Sequence, residues 1–289
     1  MGPIDDPVPS GTKERWMDVN GYQMRYLAGG FGPPLLLIHG LASSSFCWRR
    51  NLARLASRHA VYAPDLLGLG HPERTKRIGV RMEATARELG NFLKSMKIST
   101  IDILGSSHGA ALAMFLAAES DGDLRVRRLV LAAPLNPWSR GNPWLIRLFS
   151  SAMGQWLAGQ VESAPKALHR LAVKRLYGNG VQVTEATVRG YVEPLTAPGV
   201  GENIAEQLMD WDADLRRLKL LLPRIAHIPS LLIAGGRERA IALSSVEQLR
   251  WSFQHARFHV FPHAGHLLCE ECAEEFNEVV LQFLDETGS

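Results

Sequence analysis

Apolar positions along the chain follow two periods. Short runs at Pro34 to Ile38, Val61 to Pro64, Ile101 to Gly105, Leu129 to Ala133, Leu231 to Ala234 and Phe258 to Phe261 have the length and bounding residues of buried strands. Stretches of helical period separate most of them. The clearest runs from Arg81 to Lys97, with Met82, Ala86, Leu89, Leu93 and Met96 on one face and Arg, Glu and Lys on the other. Strands alternating with helices imply a parallel sheet covered on both faces. Before the first run, Trp16 to Val19 and Tyr22 to Tyr26 flank Asn20-Gly21, a two-residue hairpin signal, so an antiparallel hairpin is expected to open the sheet.

The alternation stops between Leu135 and Pro223, where no strand pattern occurs. This segment reads as a helical insertion, residues 135–223, set into an α/β core formed by 12–134 and 224–289, with residues 1–11 as a flexible tail. An apolar stripe of Leu145, Leu148, Phe149, Ala152 and Trp156 lies on its first helix. The stripe can dock the insertion on the core or line a pocket, and Trp138, Trp144, Phe149 and Trp156 are the candidate substrate contacts.

One junction carries chemistry. The buried run ending at Gly105 passes through Ser106-Ser107-His108-Gly109 into the small helix formers Ala110, Ala111, Leu112, Ala113 and Met114. A serine at a sharp strand-to-helix turn leaves room only for glycine two positions before and after it, and Gly105 and Gly109 fill those places. Ser107 is therefore a candidate nucleophile. Its hydroxyl needs a general base and a group to orient that base. His266 lies in the loop after the run that ends near Pro262, preceding a helix with Phe276, Val279, Val280, Phe283 and Leu284 at helical spacing. His263 is close in sequence and reads as surface. Past Gly235 the only nearby carboxylate is Glu238, flanked by Arg237 and Arg239, while Asp212 and Asp214 precede that strand.

With these residues the chain resembles an α/β-hydrolase-fold serine hydrolase of the esterase and lipase type, over almost its whole length after the tail. In that family the triad follows the order serine, acid, histidine, which assigns Ser107, Glu238 and His266 and leaves Asp212 and Asp214 as alternatives for the acid. Leu35 to Leu41 is similar to the family's strand and His-Gly turn. The resemblance implies that the backbone N–H groups of Leu41 and His108 form the oxyanion hole, and that His39 is structural. Tyr62 to Gly70 resembles its acidic, glycine-rich turn, which is also structural. Three departures stand out: His71-Pro72-Glu73 where a small hydroxyl residue is usual, Ala110 in place of glycine, and Cys272 in place of the proline after the acidic pair Glu270-Glu271. A serine at the elbow argues against dehalogenase and epoxide hydrolase chemistry, for which similar folds carry aspartate there.

The resemblance implies hydrolysis of apolar short- to medium-chain acyl or aryl esters, a small-molecule substrate, with no cofactor and no metal. Alternatives on the same scaffold are carbon–carbon bond hydrolysis, lactone opening and perhydrolysis; a binding protein without turnover is the reading from a different class. At 289 residues and 46% hydrophobic composition the chain can hold one large core. A net charge of +3, with scattered basic residues, gives no footprint for nucleic acid or an anionic membrane. Three cysteines cannot make a disulfide framework, and Cys269-x-x-Cys272 lacks a second pair, so packed thiols are expected. Residues 1–11 lack a basic start and an apolar run, and a cytoplasmic location with no membrane span is expected. Composition leaves monomer and homodimer equally open.

Overall fold

The computed structural model describes residues 8–66, 81–120, 122–139, 166–178, 183–197 and 199–286. Eight strands form one sheet: β1 (Thr12–Val19), β2 (Tyr22–Gly29), β3 (Pro34–Ile38), β4 (Ala60–Pro64), β5 (Thr100–Ser106), β6 (Arg125–Ala132), β7 (Ser230–Gly235) and β8 (Ala256–Phe261). Their spatial order is β1-β2-β4-β3-β5-β6-β7-β8. The expected hairpin is present, with Asn20 at φ 54° and Gly21 at φ 84°, the two positive values that match the right-handed twist of paired strands. Asp18 supports the turn by accepting the Gly21 N–H at 2.9 Å. β1 and β2 pair antiparallel, as do β2 and β4, and every later pairing is parallel.

Among the described residues the α-helices are α1 (Leu52–Ala56), α2 (Met82–Ser95), α3 (His108–Glu119), α4 (Lys166–Leu176), α5 (Glu185–Val192), α6 (Val200–Ile225), α7 (Leu243–Arg250), α8 (Leu268–Glu271) and α9 (Ala273–Asp285). They cover both faces of the sheet, which explains why the central strands read as unbroken apolar runs. Along β3, Leu36 and Ile38 point into one core with α2, α3 and α6, while Leu35 and Leu37 point into the other with α1 and α9. Two separate cores result, one on each face.

Helix α3 is enclosed along almost its whole length, with every residue from His108 to Ala118 buried. Its alanines let it lie close on the sheet, and Leu215, Leu218, Leu221, Leu222 and Ile225 of α6 cover its outer side. Truncating a buried leucine such as Leu218 costs about 2–5 kcal/mol. The turn that carries Ser107 thus rests on a densely packed platform.

Between β6 and β7 the described residues hold helices and no strand, as the polar and apolar pattern predicts. Helix α6 runs unbroken through Pro223, so the sequence boundary at 223/224 falls inside it. Pro223 removes one intrahelical N–H donor in the last turn, and the helix ends two residues later at Ile225. Trp144, Phe149, Trp156 and the rest of the apolar stripe lie outside the described residues, as do His71, Pro72 and Glu73. Trp138 is half-buried against the α2/α3 core, with the Lys219 ammonium 5.8 Å from its ring centre. Among the described residues no helix is long and apolar enough to cross a membrane.

Candidate active site

The parallel strands bring their C-terminal ends to one rim of the sheet. Ser107 follows β5, the His39-Gly40-Leu41 turn follows β3, Glu238 follows β7 and His266 follows β8.

Ser107 sits at φ 55°, ψ −119°, a conformation that costs a non-glycine residue on the order of 1–3 kcal/mol and persists only when its surroundings dictate it. They do so through the backbone. The Ser107 N–H donates to the Ala132 carbonyl at 2.8 Å, and the Ser107 carbonyl accepts from Ala110 at 3.0 Å and Leu135 at 3.1 Å. The two elbow glycines are sterically required. A methyl on Gly105 would lie 2.7 Å from the Ala110 Cα, and one on Gly109 would lie 2.5 Å from the His39 carbonyl oxygen.

The turn after β3 reaches the same point: a methyl on Gly40 would stand 3.9 Å from the Ser107 hydroxyl oxygen. Leu41, the next residue, is half-buried. His39 holds this turn in shape. Its Nε2 accepts the Leu66 N–H at 2.9 Å and its Nδ1 bonds the Gly40 carbonyl at 2.8 Å, so the ring is neutral and occupied, as a structural histidine should be. Asp65 plays the matching part in the acidic turn, accepting from the Ser45 N–H at 2.7 Å and from Arg25 at 2.8 Å.

His108 is the first residue of α3, where the backbone N–H has no intrahelical acceptor. Its imidazole turns into the core. It is fully buried, stacks near Trp211 of α6 with centroids 6.3 Å apart, and both ring nitrogens lack hydrogen-bond partners. Burial, with a smaller contribution from His39, pushes its pKa down to about 3, and the ring is neutral.

Glu238 and His266 meet directly. Nδ1 of His266 lies 2.7 Å from Oε2 of Glu238, with the histidine side chain 11% and the glutamate side chain 3% exposed. Burial alone would raise the Glu238 pKa. The hydrogen bond and charge of His266, together with N–H donation from Ala240 and Ile241, outweigh that and hold the carboxyl below its usual range. An ionised acceptor fixes the proton on Nδ1 and leaves Nε2 with its lone pair. The extra methylene of glutamate is accommodated by a tight turn in which Oε1 accepts the Ala240 N–H at 2.6 Å.

The other candidate acids are occupied elsewhere or face solvent. Asp214 is buried and caps α2, accepting from the Met82 N–H at 2.9 Å and from Arg81 at 3.0 Å. Asp212 and His263 are exposed. Cys47 and Cys269 are buried free thiols and Cys272 is half-buried. Among the described residues no group of three or more histidine, cysteine or acidic side chains is arranged to hold a metal ion.

The sequence pattern gave no sign of the groups that brace the histidine loop from outside the core. The His266 N–H donates to the Leu176 carbonyl at 2.8 Å, and Glu271 accepts from both Gly178 and Gly265. Backbone partners leave no mark on residue spacing.

Comparison with known proteins agrees with this architecture. A haloalkane dehalogenase 2 of Mycobacterium tuberculosis is 27% identical over 290 residues, covering 96% of each chain. Two solved structures superpose closely. An epoxide hydrolase, CorEH, gives a TM-score of 0.80 at 22% identity, covering 94% of this chain and 98% of that one. A serine hydrolase involved in carbazole degradation gives 0.75 at 22% identity, with the same two coverages. The family model described as alpha/beta hydrolase fold matches residues 33–273. With that match spanning β3 to β8, the elbow and the histidine loop, the chain belongs to the alpha/beta hydrolase fold family.

Proposed function

We propose that this protein is a serine carboxylesterase acting on apolar short- to medium-chain acyl or aryl esters through an acyl-enzyme. The observation that carries the reading is the buried Glu238–His266 hydrogen bond at 2.7 Å, on the rim where the strained Ser107 stands. Ser107 Oγ bonds to the ester carbonyl carbon while its proton passes to Nε2 of His266. Glu238 stabilises the imidazolium, and the N–H groups of Leu41 and His108 receive the oxyanion, each such donor contributing about 3–4 kcal/mol. The tetrahedral intermediate collapses, the C–O bond to the alcohol breaks, and the imidazolium returns its proton to the leaving oxygen. Water then enters, gives a proton to Nε2 and attacks the acyl carbon; the C–O bond to Ser107 breaks, the imidazolium returns the proton to the Ser107 oxygen, and the acid leaves.

The dehalogenase and epoxide hydrolase likenesses do not transfer to the reaction. A serine oxygen that displaced halide or opened an epoxide would form an alkyl ether, which has no carbonyl for water to attack and would end turnover after one event. An acyl ester at Ser107 does not have this defect. The expected apolar preference rests on Trp138 and on the aromatic and aliphatic residues of the insertion.

A p-nitrophenyl ester series from acetate to palmitate tests the reading. Turnover peaking at short to medium chains and lost in Ser107→Ala is the expected result. Stoichiometric phosphonylation of Ser107 by a fluorophosphonate, read by mass spectrometry, is the companion measurement. Failure of the folded protein to label overturns the serine mechanism, and full labelling with feeble hydrolysis of every ester overturns the substrate assignment.

A further inference from the structure

The loop that carries His266 is bonded to the core through Ala264, which accepts from the Arg237 N–H at 2.9 Å, and to the insertion through His266 itself. The His266 N–H has its acceptor at Leu176, at the end of α4, 2.8 Å away. One residue beyond Tyr177, the backbone of Gly178 crosses that of Gly265 in direct contact. A methyl on Gly178 would lie 2.9 Å from the Gly265 Cα, and one on Gly265 would lie 2.7 Å from the Gly178 Cα. Glu271 joins the two segments, its Oε1 accepting the Gly265 N–H at 2.9 Å and its Oε2 the Gly178 N–H at 2.8 Å. One carboxylate thus ties the insertion to the residue preceding His266.

The other half of the acidic pair seats the insertion without touching the histidine loop. Glu270 is buried and accepts from Tyr177 of the insertion at 2.6 Å, from Tyr191 of α5 and from Arg49 at 2.8 Å. Arg49 is itself buried, with Phe46 against its guanidinium at 4.1 Å. Glu270 therefore holds the insertion down, and Glu271 connects it to His266.

We propose that Glu271 and the Leu176–Gly178 turn are positioning elements for the general base, so that seating of the insertion and alignment of His266 on Glu238 occur together. This rests on His266 being the base of the proposed reaction. A tether that fixes the backbone of His266 fixes where its ring meets a carboxylate 2.7 Å away, and a shift of about 1 Å in such a contact costs up to about a hundredfold in rate.

The test compares Glu271→Gln and Gly178→Ala with Tyr191→Phe. Glutamine keeps the shape but turns an NH2 toward one of the two N–H groups, halving the bridge. The Gly178 methyl forces the segments apart without altering any catalytic group. Tyr191→Phe removes one donor from Glu270 and leaves the Glu271 bridge intact. Two readouts are used: the rate of Ser107 labelling by a fluorophosphonate across pH, and the imidazole resonance of His266 by NMR, assigned by its absence in His266→Asn. Both positioning variants should label about tenfold or more slowly, and the His266 resonances should change position and broaden because the ring no longer meets Glu238 in one fixed geometry. Tyr191→Phe should lower Tm while keeping the wild-type labelling rate and His266 spectrum. Wild-type rates and spectra in Glu271→Gln overturn the proposal, as does an equal loss in Tyr191→Phe. If the wild-type protein does not label, the serine mechanism fails while the His266 spectra still read the coupling; should Gly178→Ala not fold, Glu271→Gln decides.

Discussion

Replacing Glu238 by glutamine removes a charge and keeps the side chain's length, so it isolates the electrostatic part of the proposed triad. In the proposed reaction His266 takes up the Ser107 proton beside the Glu238 carboxylate. In the transition state the ring is a cation 2.7 Å from that carboxylate. With an effective dielectric constant of about 20, unit charges at this separation attract by about 6 kcal/mol, an upper bound because the amide oxygen of glutamine still accepts the Nδ1 proton. At 1.36 kcal/mol per decade the expected loss is about 10³- to 10⁴-fold in kcat. KM should change little, since an apolar ester bound in its ground state does not sense the missing charge. Because Glu238 is held ionised below the usual carboxylate range, its titration should leave no inflection in the wild-type pH–rate profile between about pH 5 and 8. Glu238→Asp keeps the charge but retracts it by one methylene, and an intermediate loss is expected. Steady-state hydrolysis of p-nitrophenyl butyrate, with circular dichroism to verify folding, makes the measurement. A fall in kcat smaller than about tenfold in Glu238→Gln would refute the reasoning.

Ser107→Gly should be inactive yet more stable than Ser107→Ala by about 1 kcal/mol, because φ 55° and ψ −119° strain any residue with a Cβ; urea denaturation of the two variants measures the difference, and equal stability would count against stored strain at the elbow. His108→Leu should stabilise the protein by about 1–3 kcal/mol, since it removes two buried ring nitrogens without partners. Its esterase activity should stay within a few-fold of wild type, because only the His108 backbone is assigned a role; a large loss in kcat would place the ring in the chemistry. The folded-state pKa of Glu238 lies below its unfolded value, so its contribution to stability is present above about pH 4.3 and is lost as pH falls through the folded value. The stability difference between wild type and Glu238→Gln should accordingly shrink on acidification, which urea melts at pH 7 and pH 4 would detect; a constant difference would contradict the depressed pKa.

Much of this arrangement is legible from residue order alone. Strand runs were identifiable because both sheet faces are covered, and every assigned run coincides with a strand to within a few residues. Gly105 and Gly109 marked the elbow because only they clear the backbones of α3 and the β3 turn. Glu238 was harder to assign, since Asp212 and Asp214 compete for the role by sequence; the cap that Asp214 forms on α2, through the Met82 N–H and Arg81, is a tertiary contact between residues far apart in the chain. The buried direction of the His108 ring was equally invisible, since one helical position before a glycine is compatible with pocket or core. The Leu176 and Gly178 contacts to the histidine loop are made by main-chain atoms, which any residue type carries.

Three residues with side chains adopt positive φ at the rim of the site: Ala42 at 55° after β3, Ser107 at 55° after β5 and Ala133 at 42° after β6. They lie on consecutive neighbours in the sheet, since β5 pairs with β3 on one side and β6 on the other. Each strained residue costs on the order of 1–3 kcal/mol, comparable to the full burial of one or two leucine side chains. The two buried layers beneath the rim, with α3 enclosed on every side, supply that many times over. They also remove the freedom to relax, because the Ser107 N–H and carbonyl are bonded to Ala132, Ala110 and Leu135 and the Ala133 N–H to Ile233. The apolar core therefore does more than stabilise the fold: it holds three adjacent turns at the C-terminal rim of the sheet in conformations they would otherwise leave, and one of those turns presents Ser107.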